Sequence, residues 1–454
     1  MKMNNNTDRK EFMRSEILNK PVLSLLLKMS VPTIIGMLIT VIYNLTDTFF
    51  VGLLNNRSMT AAIGIVFSYV SMIQAVGFWF GYGSGNIMSK KLGEQNEKEA
   101  NIISYIGIIF ALTSGIIIMI MSMIFIENIS GCIGGYASEN LLYFTNKYLK
   151  VIIISIPFSL YAITVYNQLR LCGNIKAAIS GLLLGMFANM ILDPVFIFLF
   201  RFGFIGAGYA TLIGHIIGCF ALSLSLKSSK KIPTGFKDIR CNKEKAYHIL
   251  AGGMPNFSRQ AITGIALVLI NKTAAAYGDA MIAALTVSSR IIALAYMIMI
   301  GWGQGFQPIC AMNFGAEKYE RVKKAFNLAL RVGTIFLVIS AIVIYIIPVN
   351  FIKLMSNDED VIEIGIKILR MQCMTMPLLG YYAMSSMLMQ NTGRYLQSLT
   401  ISVARQGIFY IPLIYILIAI YGKTGIYVLQ PVADVLSFCL SFIIVNKNRK
   451  YIGI

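Results

Sequence analysis

Residues 31–53 read VPTIIGMLITVIYNLTDTFFVGL, an apolar run with a proline at its start and an aspartate, Asp47, near its end. A helix rising 1.5 Å per residue needs about 20 apolar residues to cross the hydrocarbon of a bilayer, and this run supplies them. Outward from it, about twelve such spans follow, at 31–53, 59–83, 102–126, 150–169, 177–200, 204–226, 250–271, 281–304, 326–348, 371–391, 396–419 and 425–445. Of 454 residues, 57% are hydrophobic and 13% charged, and mean hydropathy is +0.70, whereas soluble domains carry about 25% charge. No stretch between spans is long enough for a separate soluble domain. The first 30 residues are polar and mixed in charge, unlike a cleavable signal.

The opening stretch has an echo. Val31-Pro32 begins one span and Leu92-Gly93 closes the next, and Met254-Pro255 and Phe314-Gly315 repeat both landmarks about 222 residues later. Pro157, Gly173, Pro194 and Gly206 likewise find counterparts in Pro377, Gly393, Pro412 and Gly425. Each half holds six spans, so both begin and end on one side and the repeats are parallel, as in many secondary transporters. The expected architecture is an all-α integral membrane protein of two pseudo-two-fold-related six-helix lobes. Residues 1–30 form an N-terminal arm, 31–226 the N-lobe, 227–249 a basic linker, 250–445 the C-lobe and 446–454 a tail. Gly181/Gly185 and the run Gly301-Trp302-Gly303-Gln304-Gly305 read as close helix contacts. Gly81-Tyr82-Gly83-Ser84-Gly85 also reads as packing, because no strand precedes it and no Lys-Ser/Thr follows it.

The net charge of +19 invites a nucleic-acid reading, but its distribution answers otherwise. When loops are assigned alternately to two sides, about 26 of the 39 basic residues fall on one side. They include Lys90, Lys91, Lys98, Arg170, Lys176, the run from Lys227 to Lys245, Lys318 to Lys324, Arg394 and Lys447 to Lys450. The positive-inside bias puts both termini in the cytoplasm and makes the basic run a topology signal. No nucleic-acid partner is expected.

Buried carboxylates carry the functional signal, since a charge in hydrocarbon costs several kcal/mol and persists where it has a partner or a task. Asp47 and Asp193 lie in the first half; the second has Ile270 or Asn271 and Ile411 at those places. Asp47, Asp193 and Thr211 share an expected depth of roughly 10 Å below the outer surface. Tyr43/Asp47, Asn189/Asp193 and Thr211/His215 each sit one turn apart on a helix face. Pro194 lacks a backbone donor and frees a carbonyl beside Asp193. Oxygen-rich ligands at one depth suit Na⁺ or a shuttling proton. Two separate aspartates, each tied to neighbouring backbone or to His215, are the alternative.

These residues also carry a family resemblance. Pro32 with Tyr43-Asn-Leu-Thr-Asp47-Thr-Phe-Phe-Val-Gly52 resembles the first helix of the multidrug and toxic compound extrusion (MATE) transporters. Leu171-Cys-Gly-Asn174, Asn189-Met-Ile-Leu-Asp193-Pro194 and Gly206-Ala-Gly-Tyr-Ala-Thr211 resemble the fourth to sixth. Gly305-Phe-Gln-Pro308 with Asn313-Phe-Gly315-Ala316 resembles the end of the eighth. The likeness spans nearly the whole chain and is greatest to the DinF/MepA-like prokaryotic branch. It implies an antiporter that expels bulky, often cationic, amphipathic compounds in exchange for H⁺ or Na⁺ by alternating access. Asp47, Asn189, Asp193 and Thr211 match the family's N-lobe cation site; Tyr43 and Asn167 match polar positions beside it. The resemblance further implies a multi-pass protein of a prokaryotic cell membrane.

The second half departs from the family. Some members place acids in the seventh and tenth helices, where this chain has Ser258 to Thr263 and Met389-Gln390-Asn391. A C-lobe cation site of that kind is not expected. Instead the second lobe is read as burying Arg259, Arg290, Arg405 and Asp434, with Gln406 beside Arg405. Arg405 and Asp434 form either an ion pair fixing two helices or a charged wall. Several arginines facing a cavity would favour a different cargo, a lipid-linked cell-envelope precursor. The Cys and His residues are scattered without ligand spacing, so no structural metal is expected. No HExxH, GxSxG or Walker A motif is present, so an enzyme is not expected and an ion gradient must supply the energy. No cofactor beyond H⁺ or Na⁺ is foreseen; membrane lipid is the surrounding partner, and a monomer suffices because the two lobes already form a pathway.

Overall fold

The computed structural model describes residues 14–54, 56–229 and 242–453. The side chains of Asn44, Leu45, Asp47 and Thr48, and most of the basic linker, lie outside that description. The first half contains α1 (Val22–Gly52), α2 (Arg57–Gly93), α3 (Glu97–Ile124), α4 (Glu139–Leu171), α5 (Ile175–Pro194) and α6 (Phe204–Ser229). The second contains α7 (Lys243–Ala274), α8 (Asp279–Gly315), α9 (Tyr319–Ile346), α10 (Glu359–Thr375), α11 (Leu378–Asn391), α12 (Tyr395–Val403), α13 (Tyr410–Tyr421) and α14 (Lys423–Ile452).

Polar residues set where these helices begin. Asn56, Asn96 and Ser138 accept the backbone N–H of Met59, Glu99 and Leu141, and Asp358 accepts those of Asp360 and Val361. Each cap satisfies a donor that the first turn leaves open. The repeat shows in the turns as well. Gly173 and Gly393 both adopt a positive φ, 84° and 81°, at the turns after α4 and α11, a conformation in which a Cβ is strained.

Ten helices among the described residues are long and apolar enough to cross a membrane. The other two expected spans, 250–271 and 371–391, are helical too. The first lies in α7, where the polar run Asn256 to Gln260 lowers the hydropathy. The second is divided near Pro377 into α10 and α11. On α9, Ile335, Ile339, Ile342 and Ile346 form an exposed stripe. Such a surface would be an aggregation hazard in water and suits lipid. The chain is a multi-pass membrane protein.

The chain divides into two compact units, one of residues up to Asn19 with Ile35–Gly253, the other of Lys20–Ile34 with Met254–Ile454. Two short segments thus depart from a simple division at the linker. In the first unit the core gathers Val66, Leu149, Ile153, Leu160, Ile197 and Phe204. There the start of α7 packs on α2, where the indole Nε1 of Trp79 donates to the Leu250 carbonyl at 2.8 Å. A Cβ on Gly253 would collide with the Trp79 carbonyl oxygen, and one on Gly83 with that of Ile249. In the second unit the core gathers Ile270, Ile368, Ile414 and Leu429. There Ser30 on α1 donates to the Trp302 carbonyl at 3.0 Å, while Gly301 and Gly305 admit Ile34 and Ser30. Both glycine runs are close helix contacts, and the one on α2 is no phosphate loop.

Candidate functional site

Glycines draw α5 and α6 together. A Cβ on Gly185 would lie 2.7 Å from the Gly214 carbonyl oxygen, and one on Gly214 would lie 2.8 Å from that of Gly185. Bare backbones allow that approach. One turn further along α5, Asn189 Nδ2 donates to Thr211 Oγ1 at 3.2 Å, and the Thr211 hydroxyl donates to the Ala207 carbonyl at 3.0 Å. Both residues are buried, and Asp193, one turn beyond Asn189, has no exposed surface. Asn189 Oδ1 is buried without a hydrogen-bond partner among the described residues, as is His215 Nδ1, one turn from Thr211. Buried polar atoms without a protein partner remain available as acceptors for a ligand or water.

The backbone is irregular at the same place. α5 ends at Pro194, and Val195–Leu199 continue as a π-helix in which the Phe200 N–H reaches the Val195 carbonyl at 2.9 Å. Proline removes the donor that the Met190 carbonyl would otherwise take, and π-turns recur at functional sites. Tyr43 is half-buried on α1 in the same unit as Asp193. Asp47 lies on the same helix, with its side chain outside the described ones.

Asn167 is placed elsewhere. Its Nδ2 donates to the Ile163 carbonyl at 2.8 Å, and its Oδ1 accepts from Arg170 Nη2 at 3.1 Å, near the end of α4. The turn after α4 leads into the start of α5, and Asp193 lies about 27 Å further along that helix. Arg170, counted above among loop charges, is fully buried with its guanidinium over the Tyr82 ring at 5.1 Å. The helix continues one residue past it, which turns its side chain inward. The pairing with Asn167, one turn away, was the available signal.

In the second unit, Arg405 and Asp434 do pair. Arg405 Nε donates to Asp434 Oδ1 at 2.7 Å. Gln430 Nε2 donates to the same oxygen at 2.7 Å, and Thr375 Oγ1 donates to Oδ2 at 3.2 Å. Gln406 Nε2 reaches Gln430 Oε1 at 3.4 Å. Arg405 and Gln406 lie in a second π-helical segment, Ala404–Phe409, between α12 and α13. Sequence reasoning missed Thr375 and Gln430. Gln430 stands one turn before Asp434 on α14, a signal available from spacing; Thr375, on another helix, gave none.

The expectation that all three arginines are buried needs correction. Arg290 is exposed. On α8 the buried stripe runs through Val287, Ser288, Ile291, Ile292 and Ala295, and the helical period turns Arg290 away from it. Arg259 is half-buried, and among the described residues it makes a single long hydrogen bond, 3.4 Å to Asn256 Oδ1.

A duplicated helical bundle, with buried polar residues clustered on irregular helices within each repeat, defines a polytopic membrane transporter. The MatE family profile matches residues 32–195 and 257–416, and the chain belongs to that family. It is 28% identical to the multidrug export protein MepA of Staphylococcus aureus strain MSSA476 over 430 residues, 94% of each chain. It is 27% identical to that of Staphylococcus saprophyticus over 92% of each. Its fold is similar to that of a MOP superfamily transporter from Pyrococcus furiosus, with a TM-score of 0.89 at 21% identity, covering 97% of this chain and 98% of that one. It is also similar to a multidrug resistance MATE transporter in an outward-facing conformation, with a TM-score of 0.88 at 22% identity, covering 96% and 97%.

Proposed function

We propose that this chain is a multidrug efflux antiporter that exports bulky, often cationic compounds in exchange for H⁺ or Na⁺. The observation that carries the coupling reading is the buried first-lobe group. The Asn189–Thr211 hydrogen bond holds two helices together one turn from a fully buried aspartate, at the start of a π-turn. A carboxylate in an apolar setting takes up a proton or an ion and responds to hydration. Either cation shifts the balance between transporter states to the extent that it binds them differently, and drug coupling is then reciprocal. Names of relatives such as MepA supply the cargo class. The site of action on this reading is a prokaryotic cell membrane.

The arginines weigh toward this cargo and away from a multiply charged lipid-linked precursor. Arg405 is engaged by Asp434, and Arg290 stands outside the buried stripe of α8. The test is dye efflux from proteoliposomes under an imposed H⁺ or Na⁺ gradient, for wild type and Asp193→Asn. Gradient-driven ethidium efflux that the variant loses, with dye binding retained, is the expected result. No efflux by folded wild type with either ion sinks the efflux reading, and efflux untouched by the substitution sinks the coupling site.

A further inference from the structure

The tip that joins α5 to α6 is apolar where a connecting turn is ordinarily polar. It reads Val195-Phe-Ile-Phe-Leu-Phe-Arg-Phe-Gly-Phe204, five phenylalanines around one charge. Phe204 turns inward, with its ring centroid 5.7 Å from that of Phe144 and 5.2 Å from that of Tyr148. Leu199, Phe200 and Phe202 turn outward and are 72%, 56% and 52% exposed.

The backbone holds this cluster out. The N–H groups of Phe200, Phe202 and Gly203 donate back to the carbonyls of Val195, Phe196 and Ile197 at 2.9, 3.0 and 3.3 Å. Arg201, between them, takes a left-handed φ of 57°, uncommon for a residue with a Cβ. A Cβ added to Gly206 would lie 2.8 Å from the Phe196 carbonyl carbon, so α6 starts directly against the turn. The Phe196 ring lies 5.8 Å from that of Phe200 and 6.0 Å from that of Phe202. The tip is therefore a shaped surface, and an exposed apolar patch of this kind marks a place of contact.

Position and charge name the occupant. Leu184, Phe187 and Ile191 are exposed along α5 and carry a lipid-facing stripe up to the tip. The alternation of loops puts the tip on the outer side, and a helix from Lys176 to Arg201 rises about 37 Å, the hydrocarbon core plus one layer of headgroups. Apart from His215, the buried Asp193 and Arg201 are the only ionisable acid or base between Lys176 and Lys227. Arg201 is exposed, with no hydrogen bond or ion pair among the described residues. A guanidinium at headgroup depth suits a phosphate, which it takes in two parallel hydrogen bonds, while aromatic rings favour the same boundary.

We propose that residues 198–202 dock on the outer leaflet, where the Arg201 guanidinium binds the phosphate of an anionic phospholipid and Phe198, Leu199 and Phe200 seat among the upper acyl chains. The bound lipid steadies the π-turn beside Asp193. The docking stands by itself; its effect on coupling rests on the efflux reading.

The test uses full-length Phe200→Trp in nanodiscs of mixed phosphatidylcholine and phosphatidylglycerol, with the wild-type emission of Trp79 and Trp302 subtracted. Leu199→Trp serves if that variant folds poorly. The added emission should be quenched more by acyl chains brominated near the headgroup than by chains brominated near the bilayer centre, and shielded from aqueous iodide. Brominated phosphatidylglycerol should quench about fivefold more effectively than brominated phosphatidylcholine, the ratio equivalent to ~1 kcal/mol for one basic residue at an anionic surface. Arg201→Asn tolerates the left-handed backbone and should abolish that preference at unchanged depth, while Arg201→Lys should keep much of it. In proteoliposomes, gradient-driven ethidium efflux by wild type should rise with phosphatidylglycerol, and Arg201→Asn should lose that rise.

Iodide access, equal quenching by the two lipids, or a preference intact in Arg201→Asn overturns the proposal. Displacement of the brominated phosphatidylglycerol by millimolar inorganic phosphate assigns the site to a soluble anion, and silence to both bromine and iodide assigns the tip to a protein contact; either result overturns it too. A lipid preference with efflux indifferent to lipid refutes the link to Asp193. A lipid preference with no efflux in any lipid supports the docking and counts against the efflux reading instead.

Discussion

Asn189 on α5 donates to Thr211 on α6 at 3.2 Å, just beyond the place where Gly185 and Gly214 bring the two backbones together. The hydrogen bond is a consequence of that approach, and the approach is available only to residues without a Cβ. The polar group and the glycine contact are therefore one unit, and disturbing either should disturb both.

Thr211→Val keeps the shape and removes the hydroxyl. Asn189 Nδ2 then loses its acceptor in a buried setting, at a cost of about 1–3 kcal/mol. The expected outcome is a lower melting temperature in detergent and weaker cation dependence of transport, with Thr211→Ser close to wild type. Unchanged cation dependence in a stable Thr211→Val protein would remove this hydroxyl from the site.

Gly253→Ala and Gly64→Ala make a matched pair. The added methyl at Gly253 meets the Trp79 carbonyl, a backbone atom that cannot swing aside, whereas nothing lies within 4 Å of that at Gly64. Overpacking of this kind typically costs about 1–3 kcal/mol. Thermal stability should fall for the first and hold or rise slightly for the second.

Asp434→Ala should destabilise strongly, by about 3–5 kcal/mol, because it strands Arg405 in a buried position. Adding Arg405→Gln should recover much of that loss. A double-mutant cycle of melting temperatures checks it, and additive losses would mean that the pair does not act as one.

Asp193→Asn should fold and bind dye but fall to the leak of protein-free liposomes in gradient-driven efflux. The amide keeps the volume of the side chain and gives up its ability to titrate or to carry charge. Binding isotherms run beside the flux assay separate a lost site from a lost fold.

How much of this was legible beforehand depends on the range of the interaction. The twelve spans, the duplication and the matching glycines at 173 and 393 follow from local pattern, since a membrane leaves a backbone few options besides the helix. The face-sharing of Asn189 with Asp193 and of Thr211 with His215 follows from helical period. Errors arose where an end or a rotation mattered. Arg170 sits one residue inside the end of α4 and turns inward, while Arg290 falls off the buried stripe of α8. A charge near a span boundary reads the same way in sequence whichever way it points.

Composition and spacing by themselves thus determined that the chain spans a membrane as two six-helix repeats, and that Asp47 and Asp193 both fall in the first. Only the tertiary structure decided that Asn189 meets Thr211, that Arg405 meets Asp434 by one edge of its guanidinium, and that Thr375 and Gln430 complete that carboxylate's partners. The physical reason is that sequence period fixes which residues share a face of one helix. The depth and rotation at which two helices cross are set by contacts such as Gly185 against Gly214, and these exist only once both helices are packed.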